Sequence, residues 1–235
     1  YQNEGYDLFE CSDGSLVLVG HTFSYSSDNS LSAIWIIKTD MNGNLLWTST
    51  ISRENKLTGR SIMETSDGGF IITGGNFLVK VNSQGNEEWF ENFGVVQFTS
   101  VQQTFDGGYI ITGNIDGNIF GSLLVIKTNS QGQLEWQKTF NGEGASPDGA
   151  FGLDIQQTMD GGYIVTGNWY SGYNDIYLLK INQSGIEEWS RLFGTPSYHE
   201  FAAAVIQTQD GGYAITGNWG DYVILIKTDP YGHIE

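Results

Sequence analysis

The chain has 235 residues with 27 Asp and Glu against 10 Lys and Arg, a formal charge of −17. It therefore lacks the basic surface that neutralises phosphates, which makes nucleic acid and anionic membrane poor partners, and the acidity itself reads as solubility through self-repulsion. Residues that are 39% hydrophobic, 14% aromatic and only 16% charged can bury a core, and their apolar runs are strand-length, which excludes disorder, a membrane-spanning helix and a charged coiled coil.

From the first residue onward, the pattern is one of short strands and tight turns, in keeping with 32 glycines against 3 prolines and no collagen period. Tyr1 rather than Met opens the chain and no signal-peptide pattern follows, so it reads as a mature product or an excised piece. The lone Cys11 cannot form an internal disulfide or a thiolate metal site and reads as a small buried residue. CSDGSLVLVG at 11 and IIKTDMNGNLLW ending at Trp47 then introduce two phrases that recur. The first returns as TSDGGFIITG at 65, TFDGGYIITG at 104, TMDGGYIVTG at 158 and TQDGGYAITG at 208. The second returns as LVKVNSQGNEEW ending at Trp89, VIKTNSQGQLEW at Trp136, LLKINQSGIEEW at Trp189 and LIKTDPYGHIE at the last residue.

The intervals say how these phrases are folded. From the Asp to the Gly that ends the first phrase is always 7 residues, and from Lys38, Lys80, Lys127 and Lys180 to the following Trp is always 9. From that Gly to the Lys runs 18, 6, 14, 13 and 10, and from Trp to the next Asp 20, 17, 24 and 21. Two fixed and two free connections are what a four-stranded antiparallel meander A to D produces, its A–B and C–D hairpins at one end and its B–C and D–A loops at the other. Asp-Gly-Gly predicts a tight A–B turn with positive φ, and NSQG or DMNG the C–D turn. Strands B and C are apolar at nearly every position, so both sheet faces are expected to be covered, as in blades packed around an axis. The sequence therefore predicts an all-β, five-bladed β-propeller of four-stranded meander blades as a single domain over 1–235, with repeats near 1–51, 52–94, 95–142, 143–194 and 195–235. The Lys-to-Trp interval would put a fifth Trp at position 236, so the last blade is expected to lack its outer strand D, and the chain to be a piece of a longer one.

The unit DGGYIVTG…LLKINQSGIEEW resembles the propeller-forming repeat of many secreted bacterial and archaeal surface proteins. It is also similar to the quinoprotein (PQQ-type) propeller blade, whose docking motif Asp40, Gly43 and Trp47 match with one residue fewer between Asp and Gly. The resemblance implies a propeller and an extracellular or cell-surface setting, and carries over no quinone-binding residues. It also implies that Trp47, Trp89, Trp136 and Trp189 pack blade against blade.

Chemistry-bearing residues are sparse. His21, His199 and His233 lie in no HExxH motif, and neither paired CxxC nor Gly-x-Ser-x-Gly occurs, so zinc and serine-nucleophile catalysis lack support and no catalytic residue is assigned. Ring closure would bring His21 and His199 to neighbouring blades, where two unrelated loop histidines remain the simpler reading. The recurrent aspartates Asp13, Asp67, Asp106, Asp160 and Asp210 are turn formers. Three residues before each lies Glu10, Glu64, Gln103, Gln157 or Gln207, on the innermost strand. These five either line a polar channel or hydrogen-bond the backbone of neighbouring inner strands.

The face with variable connections gathers Phe23, Tyr25, Phe120, Trp169, Tyr170, Tyr173, Tyr198, Trp219 and Tyr222. Asn168-Trp169 and Asn218-Trp219 recur at equivalent positions. Aromatic rings beside amides and carboxylates suit a sugar or a protein interface, whereas Trp residues tucked beneath their own loops would only pack. The expected function is a non-enzymatic extracellular binding propeller for a surface protein or glycan, with Asn168, Trp169, Tyr170, Tyr173, Asn218, Trp219 and Tyr222 as ligand-binding residues and no required cofactor. A polysaccharide hydrolase or lyase using acids such as Asp175, Asp221 or Glu200 is the alternative, which two carboxylates about 5–10 Å apart beside a pocket would favour. A structural spacer in a surface protein is another. Asp116, Asp175 and Asp221 could support a loop calcium site, but lack EF-hand spacing.

Overall fold

The computed structural model describes residues 3–23, 32–115, 121–140, 149–170, 172–195 and 198–235. Among them there is no helix, and the strands form five antiparallel sheets that follow one another along the chain. The first is Asn3–Glu10 (β1), Leu16–Thr22 (β2), Ala33–Thr39 (β3) and Leu45–Ile51 (β4), and the second Ser61–Glu64 (β5), Phe70–Gly74 (β6), Phe77–Val81 (β7) and Glu87–Asn92 (β8). The third is Val96–Gln103 (β9), Tyr109–Ile115 (β10), Leu123–Thr128 (β11) and Leu134–Phe140 (β12), and the fourth Ala150–Gln157 (β13), Tyr163–Tyr170 (β14), Asn174–Ile181 (β15) and Glu187–Phe193 (β16). Glu200–Gln207 (β17), Tyr213–Trp219 (β18) and Tyr222–Thr228 (β19) make a three-stranded fifth sheet. Each strand pairs with its sequence neighbour, so the meander order inferred from the intervals is the one observed, in a β-propeller-like all-β fold.

The hairpins owe their shape to the repeated residues. In the third sheet Gly107 has φ +81°, the left-handed region that the turn requires, and the Asp106 carboxylate accepts hydrogen bonds from Thr104 Oγ1 and from the Gly108 N–H at 2.9 Å. The second glycine is needed for room, since a Cβ at Gly108 would meet the Thr128 carbonyl and lie 2.6 Å from Lys127 Nζ. Lys127 passes that point because it is buried beneath the turn, with ion pairs of 2.9 Å to Asp106 and 3.0 Å to Glu135. The cluster recurs as Lys80 with Asp67 and Glu88, Lys180 with Asp160 and Glu188, and Lys227 with Asp210 and Glu235. In the first repeat Ser15 replaces the second glycine and Leu46 stands where the others carry Glu, and among the described residues Lys38 keeps only its ion pair with Asp13.

Successive sheets pack face to face, which is why β6, β7 and β11 are buried along their whole lengths. Val17, Val19, Ile34 and Ile36 of the first sheet meet Phe70, Ile72 and Val79 of the second, and Ile71 and Leu78 in turn meet Tyr109, Ile111 and Ile126 of the third. Ile110, Leu123 and Val125 then meet Tyr163, Val165 and Leu179, and Ile164, Ile176 and Leu178 meet Tyr213, Ile215 and Ile226. Each such aliphatic side chain contributes ~1.5–3 kcal/mol by leaving water. The conserved-interval tryptophans sit at these junctions, with ring centroids of 6.0 Å for Trp47–Phe70, 5.8 Å for Trp89–Tyr109, 6.1 Å for Trp136–Tyr163 and 5.7 Å for Trp189–Tyr213. They pack sheet on sheet, as the sequence reading assigned them. Cys11 is buried, again as expected.

The polar series on the first strand of each sheet is spent on backbone rather than on a channel. Glu64 accepts from the Ser12 N–H at 2.7 Å, Gln103 from Ser66 at 2.8 Å, Gln157 from Phe105 at 2.7 Å and Gln207 from Met159 at 2.8 Å. Every one of these bonds crosses to the preceding sheet, so the side chains latch neighbours together, and the channel-lining assignment gives way to the hydrogen-bonding one. Glu10, on the first strand, is exposed. The outward faces of the end sheets are also exposed: Leu8 on β1, and Val223 and Leu225 on β19. Their counterparts Ile176 and Leu178 in the fourth sheet are fully buried.

Candidate functional site

The variable-loop residues separate into buried and exposed groups that the sequence did not distinguish. Trp169 is only 5% exposed, in the core between the third and fourth sheets, with its ring 5.7 Å from Tyr177. Asn168 accepts the Ala202 N–H at 2.8 Å and so links β14 to β17. These two are therefore packing and latching residues, and their assignment as ligand contacts is corrected. Tyr170 ends β14 half-buried, its N–H bonded to the Gly149 carbonyl. Tyr25, Phe120 and Asp116 lie outside the described residues.

The equivalent pair in the fifth sheet behaves differently. Trp219 is 39% exposed and lines a groove of about 500 Å³ with Tyr198, Asp221, Tyr222 and Val223. Tyr198 and Tyr222 are exposed as well. A two-residue turn with Gly220 at φ +57° places Trp219 and Tyr222 opposite each other at the end of the β18–β19 hairpin, and Asn218 braces it by donating from Nδ2 to the Gly220 carbonyl at 3.2 Å. Beside the groove His199 accepts the Asn174 N–H at 3.1 Å on Nδ1 and lies between Tyr173 and Phe201, at centroid distances of 5.4 and 6.2 Å. The other loop histidine, His21, is buried against Tyr6 and Phe23, and His233 sits exposed beside Asp229.

Trp219 and Ile224 also line a second space, a cavity of about 270 Å³. Its walls are apolar (Ile176, Phe193, Ile226) except for Glu200. This carboxylate is 2% exposed; Thr195 Oγ1 donates to its Oε1 at 3.0 Å, and its Oε2 has no hydrogen-bond partner among the described residues. Asp175 lies against Gly194 at the rim, where a Cβ on that glycine would strike the carboxylate. Burial first and the Glu200 charge second push the Asp175 carboxyl above its ordinary value. Of the acids raised by the sequence, Asp175 and Glu200 are thus brought together, and Asp221 lines the outer groove. Thr195, Phe193 and Ile224 carried no sequence signal. Among the described residues no three His, Cys, Asp or Glu side chains are grouped so as to hold a metal ion.

No protein-family model and no curated protein matches the chain. Among solved structures, 164 chains resemble it. One, provisionally assigned as a gluconolactonase, aligns over 99% of this chain and 76% of its own length, with a TM-score of 0.54 and 11% sequence identity. At that identity the likeness speaks for the fold.

Proposed function

We propose that the chain is a five-repeat β-propeller of the DGG-repeat kind, its fifth blade without an outer strand, and that it works outside the cell or on its surface by binding carbohydrate in the groove beside Trp219. The observation that carries the binding reading is the set of exposed rings of Trp219, Tyr222 and Tyr198 around Asp221. Flat aromatic faces cover the apolar side of a sugar ring while a carboxylate takes its hydroxyls, and the flanking loops are held by a rigid stack of sheets. On a glycan array the protein binds a restricted set of oligosaccharides, and Trp219→Ala and Tyr222→Ala abolish that binding at unchanged melting temperature. An array without signal, or variants that melt early and still bind, refutes the reading.

A second reading is a hydrolase acting on a sugar-derived substrate. It is favoured by the neighbouring carboxylates Asp175 and Glu200, the kind of pair that acid–base chemistry uses, and a structural neighbour named for a sugar lactone agrees with it. Turnover of an oligosaccharide or lactone that disappears in Glu200→Gln would support it; binding without turnover supports the lectin-like reading.

A further inference from the structure

We propose that the Glu200 cavity is a binding site for a small organic cation, an ammonium group carrying a compact apolar body. This does not depend on the carbohydrate reading, since the group it invokes is Glu200, which lines this cavity and not the groove, although the two spaces share Trp219 and Ile224.

Three observations converge on that ligand. The first is an unmatched charge: a carboxylate removed from water needs a counter-charge or a full set of donors, and among the described residues Glu200 receives one donor, on Oε1. Oε2 is buried and, among the described residues, unpartnered, in a side chain that lines the cavity. The second is that no Lys, Arg or His is among the described residues lining the cavity, while a second carboxylate, Asp175, stands at the rim against Gly194. The protein therefore adds negative charge where its own chemistry would call for a positive one. The third is the wall itself. Ile176, Ile224 and Ile226 offer an apolar surface and Phe193 and Trp219 offer aromatic ones, the surroundings in which an alkylammonium is held by ring faces as well as by a carboxylate. A hydrated divalent metal ion would want several more oxygens than Glu200, Asp175 and Thr195 supply. About 270 Å³ is at the small end of ligand sites, which suits a short alkylamine, or equally a single lysine side chain from another polypeptide.

The test uses n-butylammonium, its neutral counterpart 1-butanol, an Nα-acetyl-lysine amide and calcium chloride, each titrated calorimetrically into the intact chain. Butylammonium is expected to bind at least ten-fold more tightly than butanol, and Glu200→Gln, which keeps the shape and the Thr195 contact, to remove that preference. Asp175→Asn is expected to weaken it by a smaller factor. Binding of the lysine amide with comparable affinity identifies a protein side chain as the occupant, and binding of butylammonium alone identifies a free amine; either supports the site. Equal binding of butanol and butylammonium by the unaltered chain overturns the proposal whatever the variants do. So does an ammonium preference that survives Glu200→Gln, or a response to calcium alone.

Discussion

The buried lysine of each repeat offers a quantitative test of how the sheets are held. Lys127 is 3% exposed at its side chain, whereas its partners Asp106 and Glu135 are 59% and 45% exposed. The two sides of the cluster therefore respond unequally to mutation. Replacing Lys127 with Met leaves two carboxylates that water can take over, and the main loss is the hydrogen bond from Nζ to the Thr128 carbonyl at 2.9 Å, a cost of ~1–2 kcal/mol. Replacing both acids, as Asp106→Asn with Glu135→Gln, strands an ammonium that water does not reach, a cost of ~3–5 kcal/mol. The gap of ~2–3 kcal/mol would move a urea midpoint by about 1 M for a slope of ~2–3 kcal/mol per M. The assay is urea unfolding followed by tryptophan fluorescence. Adding Lys127→Met to the double variant should restore stability towards that of Lys127→Met alone. The reasoning fails if Lys127→Met costs as much as the double acid variant, or if the triple variant shows no recovery.

Other outcomes follow from the same geometry. Gln157→Ala removes the acceptor of the Phe105 N–H and should cost ~1–2 kcal/mol while speeding hydrogen exchange at that amide; unchanged exchange there would count against the latch. Gly132→Ala places a Cβ 2.7 Å from the Trp89 ring at a residue with φ +77°, and differential scanning calorimetry should show a loss of ~1–3 kcal/mol. In acid, Asp67 and Asp106 are among the groups that respond: burial alone would raise them, but hydrogen bonds from Thr65 and Thr104, their turn glycines and their lysines outweigh it and hold both carboxyls at about 2. Their folded-state values lie below the unfolded one, so their stabilisation is complete above about pH 4 and is lost as pH falls towards 2. Asp154, raised by burial, runs the other way, its contribution being present in acid and lost as pH rises through its folded-state value. A melting temperature that stays flat from pH 5 to pH 2 contradicts the assignment. Burial also pushes Tyr109, Tyr163 and Tyr213 up to about 12, so tyrosinate absorbance from these rings should appear only near pH 12 in the folded protein.

The architecture was legible because it rests on local chemistry repeated at fixed spacing. Asp106-Gly107-Gly108 specifies its hairpin by a side-chain acceptor and a positive φ, and Ile110, Ile111 and Leu123 through Ile126 have no polar face to offer water. The lysine clusters were legible too, since Glu88, Glu135 and Glu188 each stand eight residues after their lysine, although the lysines served only as markers of interval. The site was less legible because it depends on which surfaces meet. Asn168-Trp169 and Asn218-Trp219 are identical in sequence and occupy the same strand position, yet one Trp is buried and the other exposed. Opposite Trp169 the register places Ala150, small enough for the indole to close against Phe140 and Tyr177. Opposite Trp219 it places Glu200, and with Ile224 at the position Tyr177 holds in the fourth sheet, a cavity forms where the other repeat has a core.

The claim most exposed to experiment is that the Trp219 groove receives a sugar. Saturation-transfer NMR between the protein and the best oligosaccharide from an array tests it directly. The account predicts transfer to the sugar ring protons that is lost in Trp219→Ala and Tyr222→Ala, and kept in Trp136→Phe, whose ring lies in a core junction. Transfer that persists in the two groove variants would contradict it, as would its absence from the unaltered protein.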